Sequence, residues 1–600
     1  MDDLDNIIIV PSKGTKMPKK QRKVKAAQNE ALAKDIVKKF THSLTWRQPF
    51  KEKWDRFYKM YRSHLDEKAY PWMSNLWIPY SFSTIETVAP RMVANRPQID
   101  IMPREEGDIE YAKIQEKLID FQWEKMEMDE LLPDVVKQAL IYGTSILKVY
   151  WKREEREVSK KVLIDDNNPD LGIIEDLDNR VVYDGPEVEL VDMYDFFWDP
   201  RGTTIEDCRW VAHRMYRTIE HLEELQKEGV YKNIKHLKGT TATFDDDEKS
   251  ERYSTLGVSI PTEMEHMEAD KNLVELIEYW DDENVVTVAN RKYVIREEKN
   301  PYNHAMKPFV KVVDQSVPKE FLGIGELEPI ETLQYELNDR RNQRMDNVTL
   351  TLNRMWKIKN GANVDENELV SDAGGVVHTD DMNGVDILAM PDVTASSYQE
   401  ETLIKGDIQQ TTGVSDFTRG VGSDALANDT ATGISLIQEA GNARFRQKIR
   451  NLENALETLG SMIVDLNAQF IDEEKVLRIS GDSGISWMEI KPEDMRSDFD
   501  VMVQSGSTLP SNEAVEKKQV MELYQIFAGD PEVNQTELKR RVLEAFGVKN
   551  LDKLLPPAQE VDQSGVPMGD QGLEQAPGVV PEGQLTQQGI LQSALAPEKV

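Results

Sequence analysis

Ile434, Ile437, Phe445, Ile449, Leu452, Leu456, Leu459, Ile463, Leu466 and Phe470 follow one another largely at alternating steps of three and four. Only an α-helix brings such a series onto one face. At 1.5 Å per residue the helix is a rod roughly 60 Å long. Its apolar stripe has to be covered, and lateral neighbours in an oligomer would add to that cover. Few catalytic folds need such a beam.

The segments before the rod have their own pattern. Leu327, Ile330, Leu333, Leu337, Met345, Val348, Leu352 and Met355 give a second stripe, with Arg341 filling its one gap. They predict an amphipathic helix that Gly361 ends. Turn signals at Gly374, Gly375, Asn383, Gly384 and Pro391 then alternate with short apolar runs at Val376, Val377 and 387–390, which reads as a small β-containing insert. From Ser396 to about Thr412 the chain is helical again, and a return through so compact an insert places two roughly antiparallel helices side by side with a knob at their end. Gly413, Gly420 and Gly422 make the next loop conformationally permissive. Asn428, Asp429 and Thr430 supply acceptors for the first N–H groups of the rod.

In this order the pieces resemble the portal, or head-to-tail connector, proteins of tailed double-stranded DNA bacteriophages. The likeness is carried by residues 428–437 at the start of the rod, by 499–503 leading into 505–510, by Trp77, Ile78, Pro79 and Tyr80 with Asn95, Arg96 and Pro97, and by Gly323, Ile324, Gly325 and Glu326 before the first stalk helix. None of these is a catalytic signature; their order and spacing make the match.

The resemblance implies an α+β, mainly helical subunit. It would comprise a basic flexible arm (1–30), a helical wing (31–150), a β-rich wing lobe (151–322), a first stem helix (323–355), a clip (356–393), a second stem helix (394–412), a tunnel loop (413–430), a long wing helix (431–473), a crown (474–548) and a flexible Gln/Pro/Gly-rich tail (549–600). It further implies a homo-oligomeric ring of about twelve copies at one capsid vertex. Double-stranded DNA would pass through it during packaging and ejection. The terminase motor, head–tail adaptors and the major capsid or scaffolding protein would be its partners. The protein would sit in the virion, and in host cytoplasm during assembly, with no cofactor, metal or catalytic residue. For the channel wall the likeness implies weak DNA contacts by Arg340, Arg341, Arg344 and Lys405 of the stem helices and by Phe417 and Arg419 of the loop. Arg419 is flanked by Asp416, Asp424 and Asp429, which would prevent a firm grip on phosphates. Arg341, lying in an apolar stripe, could equally belong to a structural ion pair.

Composition agrees with a passage rather than a binder. With 73 basic and 108 acidic residues the formal charge is −35, the opposite of what a general nucleic-acid binder needs, whereas an acidic wall keeps DNA from sticking. No segment approaches a membrane span, and Cys208 is the single cysteine, so no intrachain disulfide or cysteine-based zinc site is possible.

Elsewhere the reading is coarser. Residues 11–25 hold seven Lys or Arg and no acid, the mark of a solvated tail or of a contact with an acidic partner. Trp46, Phe50, Trp54, Phe57 and Tyr61 form an aromatic stripe that belongs to a core. Short β-branched or aromatic runs at 147–151, 181–183, 188–191, 273–280, 285–289 and 309–313 predict strands, and a helix is expected near 218–227. Further strands are expected at 476–479, 486–490 and 499–503, and helices at 512–527 and 535–546. The acidic run 245–248 reads as a solvated loop, and residues 379–384 as a turn rather than a calcium loop.

No Gly-rich phosphate cradle ending in Gly-Lys-Ser/Thr is present, which removes the packaging motor itself as a reading. Gly420, Gly422 and Ala425 fit a dinucleotide pattern outside its βαβ setting, and the eight histidines are scattered. The competing reading from another class is a scaffold or adaptor protein of the virion without a channel.

Overall fold

The computed structural model describes residues 19–546, except 66, 67, 69, 164–172, 238–272, 354, 370–375, 389–393, 415–418, 420–430, 473–474, 482–483, 496–498, 505–512, 529–532 and 534. The arm before residue 19, the acidic run 245–248 and the tail after 546 therefore lie outside the described residues. By internal packing the chain forms one unit of Met1–Ile479 with Ser486–Ser511 and a second of Ser480–Ile485 with Asn512–Val600.

The first helix, α1 (Lys19–Tyr61), corrects one boundary: it begins inside the stretch expected to be a flexible arm. Lys, Arg, Ala and Gln are good helix formers, and a packed segment downstream spares them the cost of nucleation. Ala33, Ile36, Phe40, Ser43, Arg47, Trp54, Phe57 and Met60 recur at helical spacing and are all buried. Arg47 is a polar pin within that face. Its guanidinium donates to the carbonyls of Met193, Tyr194 and Phe196 at 2.8–2.9 Å and lies 4.0 Å from the Phe197 ring centre. Trp46 stands off the face and is half exposed.

Next come α2 (Tyr80–Met92), β1 (Ile99–Pro103), α3 (Ile109–Lys125) and α4 (Met128–Tyr142). Then β2 (Thr144–Leu163) and β3 (Ile173–Val191) form a long antiparallel hairpin. Strands β4 (Phe196–Trp198) and β5 (Trp210–Thr218) follow. Helix α5 (Ile219–Lys227) is capped by the Thr218 hydroxyl, which accepts from the His221 N–H at 3.4 Å. After it come β6 (Leu273–Asp281), β7 (Asn284–Ala289), β8 (Tyr293–Lys299) and β9 (Phe309–Val313). One sheet has the order β3-β2-β9 and the other β4-β5-β6-β7-β8. Both are antiparallel. Strand β5 went unread in the sequence because its His and two Arg break the apolar run.

A buried polar link joins the two sheets. Lys148 of β2 donates to Glu278 of β6 at 2.6 Å, and the Trp280 indole N–H donates to the same carboxylate at 2.7 Å. Burial pushes the Glu278 carboxyl up, but attraction to Lys148 more than reverses this and holds it at about 2. Across the β5–β6 pair, His213 faces Glu278 in register, and burial holds its imidazole neutral, down at about 3.

The remaining elements are α6 (Glu331–Leu352), a hairpin of β10 (Met355–Ile358) and β11 (Val385–Leu388), α7 (Thr394–Thr412), α8 (Ala431–Phe470), β12 (Lys475–Gly481), β13 (Gly484–Ile490) and β14 (Phe499–Val503). In α8, Phe445, Ile449, Leu452, Leu456, Leu459, Ile463 and Leu466 are at most 2% exposed within the single chain. From Phe445 to Leu466 that corrects the expectation that a neighbouring copy helps cover the stripe, since the chain's own layers already do; the side chains of Ile434 and Ile437 lie outside the described residues. Strand β14 pairs with β1, 396 residues away at Arg104 and Asp500, and Val501 packs on Gly460 of α8. The division that placed all of 474–548 in one crown is therefore redrawn, since β14 belongs to the first unit. Helices α9 (Glu513–Phe527) and α10 (Gln535–Ala545) pack on one another in the second unit.

Candidate functional site

The helix pair α6 and α7 packs side by side, and its root is built from glycines. A Cβ on Gly143, where φ is +84°, would run into the backbone of Gly323; one on Gly325 would lie 2.5 Å from the Leu140 carbonyl oxygen. This close approach lets the Glu326 N–H donate to Leu140 O at 2.8 Å and the Gly323 N–H to the Thr144 hydroxyl at 2.9 Å. The Gly323, Ile324, Gly325, Glu326 sequence is thus the seam where α6 is set into the α4–β2 junction. Helix α6 itself starts at Glu331, eight residues after the expected boundary at 323.

The apolar stripe expected along this helix is only half buried. Leu327, Ile330 and Leu337 are inside, but Met345, Val348 and Leu352 are 38–69% exposed. What α6 buries beside its inner apolar residues is most of a ladder of polar side chains, with Gln334, Asn338 and Asn342 inside and Asp346 half-buried. Gln334, Asn338, Asn342 and Asp346 stand four apart and accept from the N–H groups of Ser81, Ile78, Leu76 and Ser74 at 3.2, 3.0, 2.8 and 2.5 Å. Gln334 and Asn342 donate back to the carbonyls of Ile78 and Leu76 at 2.7 and 3.2 Å. For the rungs at Asn338, Asn342 and Asp346 the match is geometric: four helical residues rise about 6 Å and two extended residues about 6.6 Å, while Gln334 meets Ser81 in the first turn of α2. An unpaired strand-like segment thereby finds its hydrogen bonds on a helix surface. The signal was in the sequence, as four amide or acid residues at strict spacing of four, but stripe counting looks only for apolar residues.

The candidate channel cations come together, and in doing so they are partly spent. Glu401 of α7, 6% exposed, meets Arg344 at 2.6 Å, Lys405 at 2.7 Å and Arg341 at 3.6 Å, while Arg340 meets Glu400 at 3.2 Å. Burial pushes the Glu401 carboxyl up, but the hydrogen bonds from Lys405 and Arg344 outweigh it, so the group lies below the ordinary range. Arg344 is 4% exposed and lies 4.1 Å from the Tyr398 ring centre, so it serves as a clasp between α6 and α7 rather than as a surface contact. Arg340, Arg341 and Lys405 keep about a third or more of their side chains exposed. The two helices together carry seven acids and these four cations, so the cations cluster within a helix pair that is itself net acidic.

Arg419 lies 4.7 Å from the ring centre of Tyr80, the first residue of α2 and part of the laddered segment. Phe417 lies outside the described residues, as does most of the loop. At the other end of the pair, the β10–β11 hairpin exposes Met355, Ile358, Ile387 and Leu388. Among the described residues no group of three or more His, Cys, Asp or Glu is placed to hold a metal ion, and no helix is long and apolar enough to cross a membrane.

Among solved structures, the neck of an empty GTA particle is similar over 78% of this chain and 90% of that one, at 10% identity and a TM-score of 0.35, too distant to bear on the fold. The family model of the phage SU10 portal protein matches residues 88–595, a span that takes in the sheets, the laddered helix, the ionic clasp and the rod. The chain belongs to the phage SU10 portal protein family.

Proposed function

We propose that copies of this portal protein close into a ring of about twelve at one capsid vertex, as repeated heterologous contacts do when their rotation closes. Double-stranded DNA passes through the ring during packaging and ejection. The terminase motor and head–tail adaptors dock at the exposed β10–β11 hairpin, and the major capsid or scaffolding protein meets the outer layers. The ring is a conduit and not an enzyme, sits in the virion, and assembles in host cytoplasm.

The observation that carries this reading is the α6–α7 pair. It is fixed at its root by glycine packing and along its length by the ladder, and it leaves a partly exposed strip of cations, Arg340, Arg341 and Lys405, among the acids of a net-acidic helix pair. Such a strip touches phosphates weakly, and the surrounding acids keep the contact transient. Negative-stain imaging of the purified full chain tests it: rings with a central hole are expected, and a monodisperse monomer under all assembly conditions overturns the ring. Deleting residues 414–427 should leave rings intact but particles short of full-length DNA. Wild-type yields of DNA-filled, infectious particles would remove the loop from DNA handling.

A further inference from the structure

One buried cluster plays no part in the reading above. Asp314 follows β9, Glu326 precedes α6, and Lys448 lies in α8. The Lys448 ammonium is 2.5 Å from Asp314 Oδ1 and also contacts Glu326 Oε1, and all three residues are at most 6% exposed. Two carboxylates thus share one cation. Its other hydrogen bonds among the described residues are to neutral groups: its N–H donates to the Gly143 carbonyl at 3.2 Å, and its own carbonyl accepts from the Asn451 amide at 2.9 Å. Among the described residues Asp314 Oδ2 has no hydrogen-bond partner. The nearby Lys311 ammonium is turned away, to the carbonyls of Thr203 and Phe321 at 2.7 and 3.0 Å.

With both carboxylates ionised the node carries one uncompensated negative charge in a dry site, which is costly. With one proton added it is neutral. We propose that the Asp314–Glu326–Lys448 node is a proton-holding joint that positions the root of the first stem helix on the long helix, closed firmly while one proton is held and loosened when that proton leaves.

The surrounding geometry makes the joint consequential. Glu326 is the residue after Gly325, so the node and the glycine seam hold the same turn of chain. Burial raises the Asp314 carboxyl to about 7, with Glu326 pushing it further up and Lys448 drawing it down. Burial lowers the Lys448 ammonium, but the two carboxylates outweigh that and leave it raised, so it stays charged throughout. The sign follows. A carboxyl raised in the folded state contributes most below its unfolded value, about 4, and that contribution is lost as pH rises towards 7.

Hydrogen exchange on the full chain reads this directly. After correction for intrinsic rates, protection of the Glu326 N–H should fall by up to about tenfold per pH unit between pH 5 and 7, the slope of one linked proton, and level off above. Asp314→Asn and Glu326→Gln each remove one negative charge, and each should flatten that slope. If Asp314→Asn fails to fold, Glu326→Gln carries the test alone. A wild-type protein with no slope in this window, or a slope that persists in the folded variants, overturns the proposal.

Discussion

Glu278 and Glu401 show how single carboxylates organise this chain. Each is buried and each is held ionised by cations, Glu278 by Lys148 of another strand and Glu401 by Lys405 of its own helix and Arg344 of α6, so the pair energy is modest while the cost of breaking the pair is not. Glu278→Ala leaves Lys148 buried without a counter-charge and should destabilise the first unit by about 3–5 kcal/mol, measured by chemical denaturation of the full chain. The depressed carboxyl also fixes the direction with pH. Its contribution is present above the ordinary value of 4.5 and is lost as pH falls towards 2, so the gap between wild type and Glu278→Gln should narrow on acidification. Arg344 follows the same logic in the helix pair. Because it is inside the clasp, Arg344→Ala should separate α6 from α7 and lower the melting temperature, whereas Lys405→Ala, at the partly exposed rim, should change stability by less than about 1 kcal/mol.

At the scale of elements, the laddered helix and the glycine seam make opposite demands on substitution. Asn338→Ala leaves the Ile78 N–H without its acceptor, a loss of about 1–3 kcal/mol where that group is buried, and Ile78 should lose hydrogen-exchange protection before the rest of the unit. Gly143→Ala meets both a left-handed backbone and the facing Gly323, so insoluble or unfolded protein is expected. Gly406 lies inside α7 with open space where a Cβ would go, and Gly406→Ala should stabilise by up to about 1 kcal/mol. A melting-temperature comparison of the two variants separates seam glycines from incidental ones.

For the molecule as a whole, the rod is the spine of its own subunit before it is anything in an assembly. Leu456 is fully buried among residues of α8 and the layers around it, so Leu456→Asp should unfold the first unit, with loss of soluble protein. A folded monomer that merely fails to form rings would mean instead that the stripe is an intersubunit surface. Surfaces suited to partners lie elsewhere, on the outer half of α6 and the hairpin, where Leu352, Met355 and Leu388 are exposed. Replacing 356–391 by a short Gly-Ser link should preserve assembly and abolish co-purification with the motor or adaptor.

The sequence by itself determined what depends on local period and turn chemistry: the rod, the pair of helices around a β-containing insert, the permissive glycines, most strands, and from their order the portal family. Those signals are written within a few residues of one another, which is why they survive without a structure. What only the tertiary structure decided depends on residues far apart in the chain. The ladder needs 74–81 to lie along α6, the clasp needs Glu401 opposite Arg344, the node needs Asp314, Glu326 and Lys448 in one place, and β14 needs β1. The same distance explains the corrected expectations. The apolar count along α6 was right about helicity and about its inner half, where Leu327, Ile330 and Leu337 are buried, and it missed the polar residues buried beside them. Hydrogen-bond geometry with a remote segment outweighed side-chain hydrophobicity, and polar side chains four apart give no signal until their partners arrive.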